Sequence, residues 1–397
     1  MPVSPSQILT ALDSKRQDFT RFNSTMQQDL RRYRQLWQQL TQGPGEALAN
    51  ALPKARVGAR PLEPFAAVRK GVVPFGRKWP SREDSLDWVR SHLSGITTFA
   101  VDGSQIFPSK DVSLSVALVQ IGWFENPHTE SGDYHKDVQL EVLTPQDLKT
   151  KGVMEPADRR VNIRRFEMET QRLVDYMAQC AQPDRTLVFF DGSLVVTFAD
   201  AFDKDSQDAY VSAMVKLLAA SDRYRVPLVG YVDTSSARDL MTLIPHCSAA
   251  MVRERPKEAI AAVDTLHDVQ MLSPLMAWGD RTPLLICDRE GILDKYGDLG
   301  DQVTFTYLQT TRDRPPARLE LPRWLWDAGQ LETVLNWVRA EVIVGGGYPY
   351  AIETADQTAV LQGPDRQLFY RILQDWADRE DLNLRFSRKM ISKTRRR

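Results

Sequence analysis

Two phrases in this 397-residue chain end an apolar run on aspartate and follow it with Gly-Ser. The first, ITTFAVDGSQIF at 96–107, carries Asp102; the second, TLVFFDGSLVVTF at 186–198, carries Asp191. In the plainest reading each Asp-Gly-Ser caps a tight turn at a strand end. The chemical alternative follows from where such turns lie. Ligand sites of open α/β sheets gather at the carboxyl ends of strands, so two adjacent strands would aim both carboxylates into one crevice. Carboxylates held that close raise each other's pKa, and a divalent cation removes the conflict. All-oxygen donors suit Mg2+ or Mn2+.

A helix-patterned segment between the two phrases, RRFEMETQRLVDYM at 164–177, offers a third carboxylate. Phe166, Glu169, Leu173 and Tyr176 recur at helical steps on one face. A glutamate among core-facing residues is costly unless it is paired or metal-bound. Glu167 lies about 160° round the helix and is the fallback. Either glutamate can also be an ordinary solvated helix residue. Asp102, Glu169 and Asp191 together could hold two metal ions about 4 Å apart, one readying a water for in-line attack on a phosphodiester and one stabilising the leaving oxygen.

Positioning these acids falls to a mixed α/β pattern. Residues 4–42 read as one amphipathic helix, with Leu9, Leu12, Phe19, Phe22, Met26, Leu30, Tyr33 and Trp37 at mixed three- and four-residue steps. The Gly- and Pro-rich stretch that follows reads as an irregular surface connection to residue 95. Strands are expected at 96–104, 112–124 and 138–144 as a meander, then a helix at 159–181, a strand at 186–191, a helix at 205–222 and a strand at 227–233. Beyond 235 come helices, short strands near 284–288, 303–309 and 317–321, a helix at 328–342 and a last helical segment.

Composition excludes other chemistries. The formal net charge of −1 gives no global pull on a polyanion, so contact with nucleic acid falls to local patches. Candidates are Arg159, Arg160, Arg164 and Arg165, which otherwise pair with neighbouring acids, and the basic tail RFSRKMISKTRRR at 385–397. Cys180, Cys247 and Cys287 form no CxxC, and the five histidines show no ligand spacing, which excludes a zinc knuckle and fits a reducing cytoplasm. The start lacks an apolar leader and no eighteen-residue apolar run follows, so neither secretion nor a membrane span is expected. GGGYP at 345–349 lacks the Lys-Ser/Thr of a P-loop. Neither Asp-Gly-Ser phrase is the Asp-x-Asp of a haloacid-dehalogenase-like phosphatase.

With these residues in view, the chain resembles the NurA-domain nucleases from about Ile96 to Leu373. AVDGSQ and LVFFDGSL resemble that family's two aspartate motifs, and LVGYVDTSSARDL at 228–240 its next strand-and-helix block. FTYLQTTRDRPPARLELPRWLWD at 305–327 is similar to its Arg-x-Glu-x-Pro segment, and GGGYPYAIETADQTAVL at 345–361 to its Gly-Tyr-Pro followed by a helix.

The resemblance implies an α/β fold with an RNase H-like mixed sheet flanked by helices, an N-terminal helical extension and a C-terminal α/β elaboration. It implies a Mn2+- or Mg2+-dependent deoxyribonuclease, with two ions, acting on DNA ends in repair. A homodimer and a HerA-like hexameric ATPase partner are implied with it. Asp102, Glu169 and Asp191 become metal ligands, and Tyr348 an active-site tyrosine near the scissile phosphate.

Where the family carries histidine on the last helix, this chain has Asp356. Aspartate can still ligate the metal through oxygen, but it cannot act as a neutral imidazole ligand. The runner-up reading is therefore a DNA-binding or scaffold subunit with weakened catalysis. The expected partition is an amphipathic helix at 1–45, a connecting segment at 46–95, the nuclease domain at 96–375 and a basic tail at 376–397.

Overall fold

The computed structural model describes residues 4–43, 50, 52–149, 157–251, 266–385 and 387. Most of the basic tail singled out above lies outside the described residues.

In chain order the elements are α1 (Pro5–Ser14), α2 (Arg16–Leu40), β1 (Gly58–Pro61), α3 (Arg82–Leu93), β2 (Thr97–Ile106), β3 (Ala117–Asn126), β4 (His135–Leu143) and α4 (Ala157–Gln179). Next come β5 (Thr186–Asp191), α5 (Lys204–Tyr224), β6 (Leu228–Val232), α6 (Asp239–Met251), α7 (Asp268–Leu272), β7 (Leu285–Asp288), β8 (Val303–Leu308) and β9 (Ala317–Pro322). Helices α8 (Trp324–Asp327), α9 (Leu331–Val344), α10 (Tyr350–Ala359) and α11 (Gly363–Arg379) follow. The architecture is a mixed α/β one, its nine described strands flanked by helices.

The chain divides into two compact units, 1–78 with 233–290 and 304–319, and 79–232 with 291–303 and 320–397. In the second unit the strand order is β6-β5-β2-β3-β4. β2, β3 and β4 form the expected antiparallel meander, while β5 runs parallel to β2 and β6 parallel to β5. The consecutive apolar residues of β5 suit a strand covered on both faces, and Leu187, Val188 and Phe189 are fully buried. α4 lies on β2 and β3, with Val161, Ile163, Phe166, Glu169, Leu173 and Met177 among its buried residues. α10 packs on the same two strands.

In the first unit β1 pairs antiparallel with β7, and β7 with β8. The helix expected over 4–42 is two helices that part at Lys15, whose backbone (φ −107°, ψ 7°) is not helical. Only the later part of α2 is anchored: Leu30, Tyr33, Trp37 and Leu40 are buried, and the Trp37 indole donates to the Gly71 carbonyl at 2.8 Å. Among the described residues no helix is long and apolar enough to cross a membrane.

Candidate active site

β2 and β5 are the neighbours that the two Asp-Gly-Ser phrases required. Their parallel register pairs Val101 with Phe190, and one residue further along each strand stand Asp102 and Asp191. Asp102 is half-buried and Asp191, the last residue of β5, is exposed.

Asp102 lies opposite Gly122 of β3, so its side chain shares a sheet face with the position where Gly122 has none. A Cβ on Gly122 would sit 2.6 Å from the Ala359 nitrogen and 2.8 Å from the Thr358 carbonyl carbon. Glycine thus lets the backbone of α10 rest directly on the strand. Gln120 Nε2 donates to the Ala359 carbonyl at 2.8 Å, and the Leu361 amide donates to Ser104 Oγ at 3.0 Å.

This seating brings Asp356 of α10 close enough to Asp102 for the two carboxyls to act on each other. Two carboxyls this close disfavour each other's ionisation. Burial pushes Asp102 up to about 6; the hydrogen bond to Asp356 and the charges of Asp191 and Asp356 add to the rise, against the Gly103 amide. Tyr348, just ahead of α10, donates its hydroxyl to Asp191 Oδ1 at 2.9 Å and packs edge-on against Tyr231 at 5.2 Å.

Glu169 reaches β2 from the opposite face, beside Gly103, because successive residues of a strand alternate sides. A Cβ at Gly103 would overlap Glu169 Oε1 and lie 2.7 Å from Arg165 Cγ, so only glycine admits both side chains. Glu169 is 7% exposed, and its Oε1 is buried with no aligned hydrogen-bond donor, although Arg165 Nη1 stands 3.1 Å away. Burial pushes the Glu169 carboxyl up to about 8; Arg165 pulls it down, and Asp102 and Asp191 push it further up. Glu167, the fallback, points elsewhere and pairs with Arg164 at 3.2 Å. Of the other arginines singled out, Arg164 pairs with Glu141 at 2.6 Å and Arg159 with Asp203 at 2.8 Å.

The structure therefore brings Asp102, Asp191, Asp356 and Tyr348 together where β5 ends beside the middle of β2, with Glu169 in electrostatic reach from across the sheet. β2 runs on through Gly103 and Ser104 to Ile106 instead of turning at Asp102. The donor set fits a hard divalent cation: it is all oxygen, it gathers mutually repelling acids, and it includes one buried carboxylate oxygen without an aligned donor. As they stand, no three His, Cys, Asp or Glu side chains among the described residues form a ready ligand group.

Matched against models of protein families, residues 96–361 fit the NurA domain, a span that contains every one of these side chains. The chain belongs to the NurA-domain family. Family membership supports a nuclease, and hence a hydrolase, as its class. Comparison with curated protein sequences gives no match.

Among solved structures, the chain is similar to NurA with manganese, with 11% identity and a TM-score of 0.35 over 76% of this chain and 94% of that one. A second crystal structure of NurA gives 11% identity and a TM-score of 0.37, over 73% and 92% of the two chains. The catalytic domain of human Endonuclease V gives 12% and 0.34, over 74% and 99%. Likenesses this distant carry no argument about chemistry.

Two buried glutamates of the NurA-domain chain support the site without having been singled out from the sequence. Glu320 on β9 is fully buried and accepts from Ser193 Oγ at 2.8 Å and the Leu194 amide at 2.7 Å, tethering the loop that leaves Asp191. Glu341 on α9, also fully buried, accepts from the Ala351 amide at 2.9 Å and Thr98 Oγ1 at 3.1 Å, with His128 Nε2 3.1 Å away. It fixes the first turn of α10 to the base of β2. The signal for both was a lone acid inside an apolar run, LEL at 319–321 and AEVIV at 340–344.

Proposed function

We propose that the chain is a metal-dependent deoxyribonuclease that hydrolyses phosphodiester bonds at DNA ends in repair. The observation that supports this best is the carboxylate cluster, in which burial pushes Asp102 up to about 6 and Glu169 up to about 8 beside Asp191 and Asp356. Asp102, Glu169, Asp191 and Asp356 would hold Mn2+ or Mg2+, two ions in our reading. Such ions, when bound, lend Lewis acidity to the scissile phosphate and lower the pKa of an attacking water.

The chain's own residues do the rest. Tyr348 holds the Asp191 carboxylate in one orientation through its hydroxyl, and Tyr231 holds the Tyr348 ring. Glu341 and Gln120 clamp the two ends of α10, so that Asp356 meets Asp102 in one place. The Glu320 tether keeps the backbone after Asp191 from drifting. Burial of Glu169 against Gly103 excludes water from its side of the strand.

The β2-β3-β4 meander followed by parallel β5 and β6, with acids on β2, α4 and β5, is an arrangement we read as RNase H-like. We take the nuclease domain as 96–375, acting in the cytoplasm as a homodimer with a HerA-like hexameric ATPase. The contact of Asp356 with Asp102 favours one second reading, a DNA-binding or scaffold subunit with weakened catalysis, because it adds an acid where the family has histidine.

Labelled linear and single-stranded DNA incubated with Mn2+, Mg2+ or EDTA separates the two. Metal-dependent degradation that Asp102→Ala abolishes supports the nuclease. Binding without degradation, alone and with the ATPase, supports the scaffold.

A further inference from the structure

Arg165 is one helical turn before Glu169 on α4, and its position bears on how the site would take up a cation. Its Nη1 stands 3.1 Å from Glu169 Oε1 and donates to the Gly103 carbonyl at 3.0 Å. Its stem lies over the glycine, where a Cβ would come within 2.7 Å of Cγ and 3.1 Å of Cδ. Its Nε is buried without a hydrogen-bond partner, and the contact to Glu169 meets an ion-pair distance but not hydrogen-bond alignment. A guanidinium in this place supplies positive charge to the one deeply buried carboxylate of the cluster, yet neither group gains a well-formed bond from it. A bidentate, donor-matched pair would lock; this one is poised to part.

We propose that Arg165 is a built-in competitor for the site's cation: it must give up Glu169 Oε1 before that oxygen can ligate a metal ion, and it thereby sets how tightly the ion is held. This competition rests on the metal-dependent reading above and adds a regulator to it. Two positive charges cannot both sit against one carboxylate oxygen without mutual repulsion, and the one tethered to α4 has no diffusional disadvantage. Gly103 makes the competition possible, since any side chain there would evict the guanidinium and the glutamate together.

The test is a calorimetric titration of Mn2+ into the full chain and its Arg165→Gln, Arg165→Lys and Asp102→Asn variants, with folding checked by circular dichroism. Arg165→Gln is expected to bind Mn2+ roughly tenfold more tightly, the order of effect one neighbouring like charge has on an ionic site. Arg165→Lys, which keeps the charge on a thinner stem without the planar fork, shows a smaller gain and stands in should the glutamine variant fail to fold. Affinity equal to or weaker than wild type in a folded Arg165 variant overturns the competition while leaving the metal reading intact. Absence of Mn2+ binding in wild type and Arg165→Gln alike, or unaltered binding in Asp102→Asn, overturns the metal reading and the competition with it.

Discussion

Asp239 and Asp268 in the first unit are as deeply buried as Glu169 in the second, but their surroundings differ. Asp239 Oδ1 accepts from Arg289 Nε at 2.6 Å, and its Oδ2 from Arg289 Nη2 and Arg318 Nη1, each at 2.7 Å. Asp268 accepts from the amides of Leu240 and Met241 at 3.1 and 3.0 Å and from the Tyr307 hydroxyl at 2.8 Å. Burial opposes the charge on Asp239, but Arg318 and Arg289 outweigh it and hold the carboxyl below its ordinary range. In the second unit Asp102 meets another carboxyl, and Glu169 Oε1 lacks an aligned donor. A buried acid whose oxygens are all matched by donors is architecture; one left short of donors is an opening for a ligand.

The same substitution in the two clusters should therefore have opposite consequences. Asp102→Ala is expected to lower nuclease turnover on the order of a thousandfold, as loss of a central catalytic group does. Its urea midpoint should be no lower than wild type, because the change removes a strained carboxyl. Asp239→Ala strands two buried guanidiniums and should destabilise the fold by about 3–5 kcal/mol in the same denaturation. If Asp102→Ala unfolds the chain and Asp239→Ala does not, the contrast is broken.

A change of intermediate size sharpens it. Asp356→His replaces an acid beside Asp102 with a group that can be neutral, and turnover with Mn2+ should rise several-fold; unaltered kinetics would show that this position does not govern the site.

The smallest effect concerns pH. Burial, with Asp239 adding to it, pushes Asp268 up to about 7 from an ordinary 3.8, so the folded chain holds a proton that the unfolded chain has released. Its share of stability is complete below the ordinary value and is lost as pH rises towards 7. Melting temperatures recorded from pH 4 to about 7 should slope downward in this window, and Asp268→Asn should flatten that slope. An identical slope in the variant would assign it to other groups.

How much of this was legible in the sequence depends on the range over which each feature is decided. The apolar runs before Asp102 and Asp191, the meander that starts with the first of them and the inward phase of Glu169 follow from local periodicity, and the structure has all three, although only β5 stops at its aspartate while β2 runs on to Ile106. α3 was hidden because its neighbourhood is rich in breakers. The cap in which Ser81 Oγ accepts from the Asp84 amide was the local cue, and Trp88, Val89 and Leu93 were the buried residues. The break at Lys15 leaves no trace in the apolar pattern, which carries straight across it.

Contacts made between distant segments were not legible at all. Asp356 reaching Asp102 depends on a glycine in a third segment, and the tethers join segments far apart in the chain, Glu320 to the Leu194 amide and Glu341 to the Thr98 hydroxyl. Arg165 was visible as a basic residue, but its role beside Glu169 depends on what Gly103 leaves open.

The bare position at 122 gives the molecule a place where it can be pried apart. A single methyl there would act as a wedge under the last turn of α10, since its carbon would fall 2.6 Å from the Ala359 nitrogen. The helix would have to ride up, drawing Asp356 off its partner with every acid still in place. The reach of the fourth carboxylate is thus governed from a residue that has no side chain of its own.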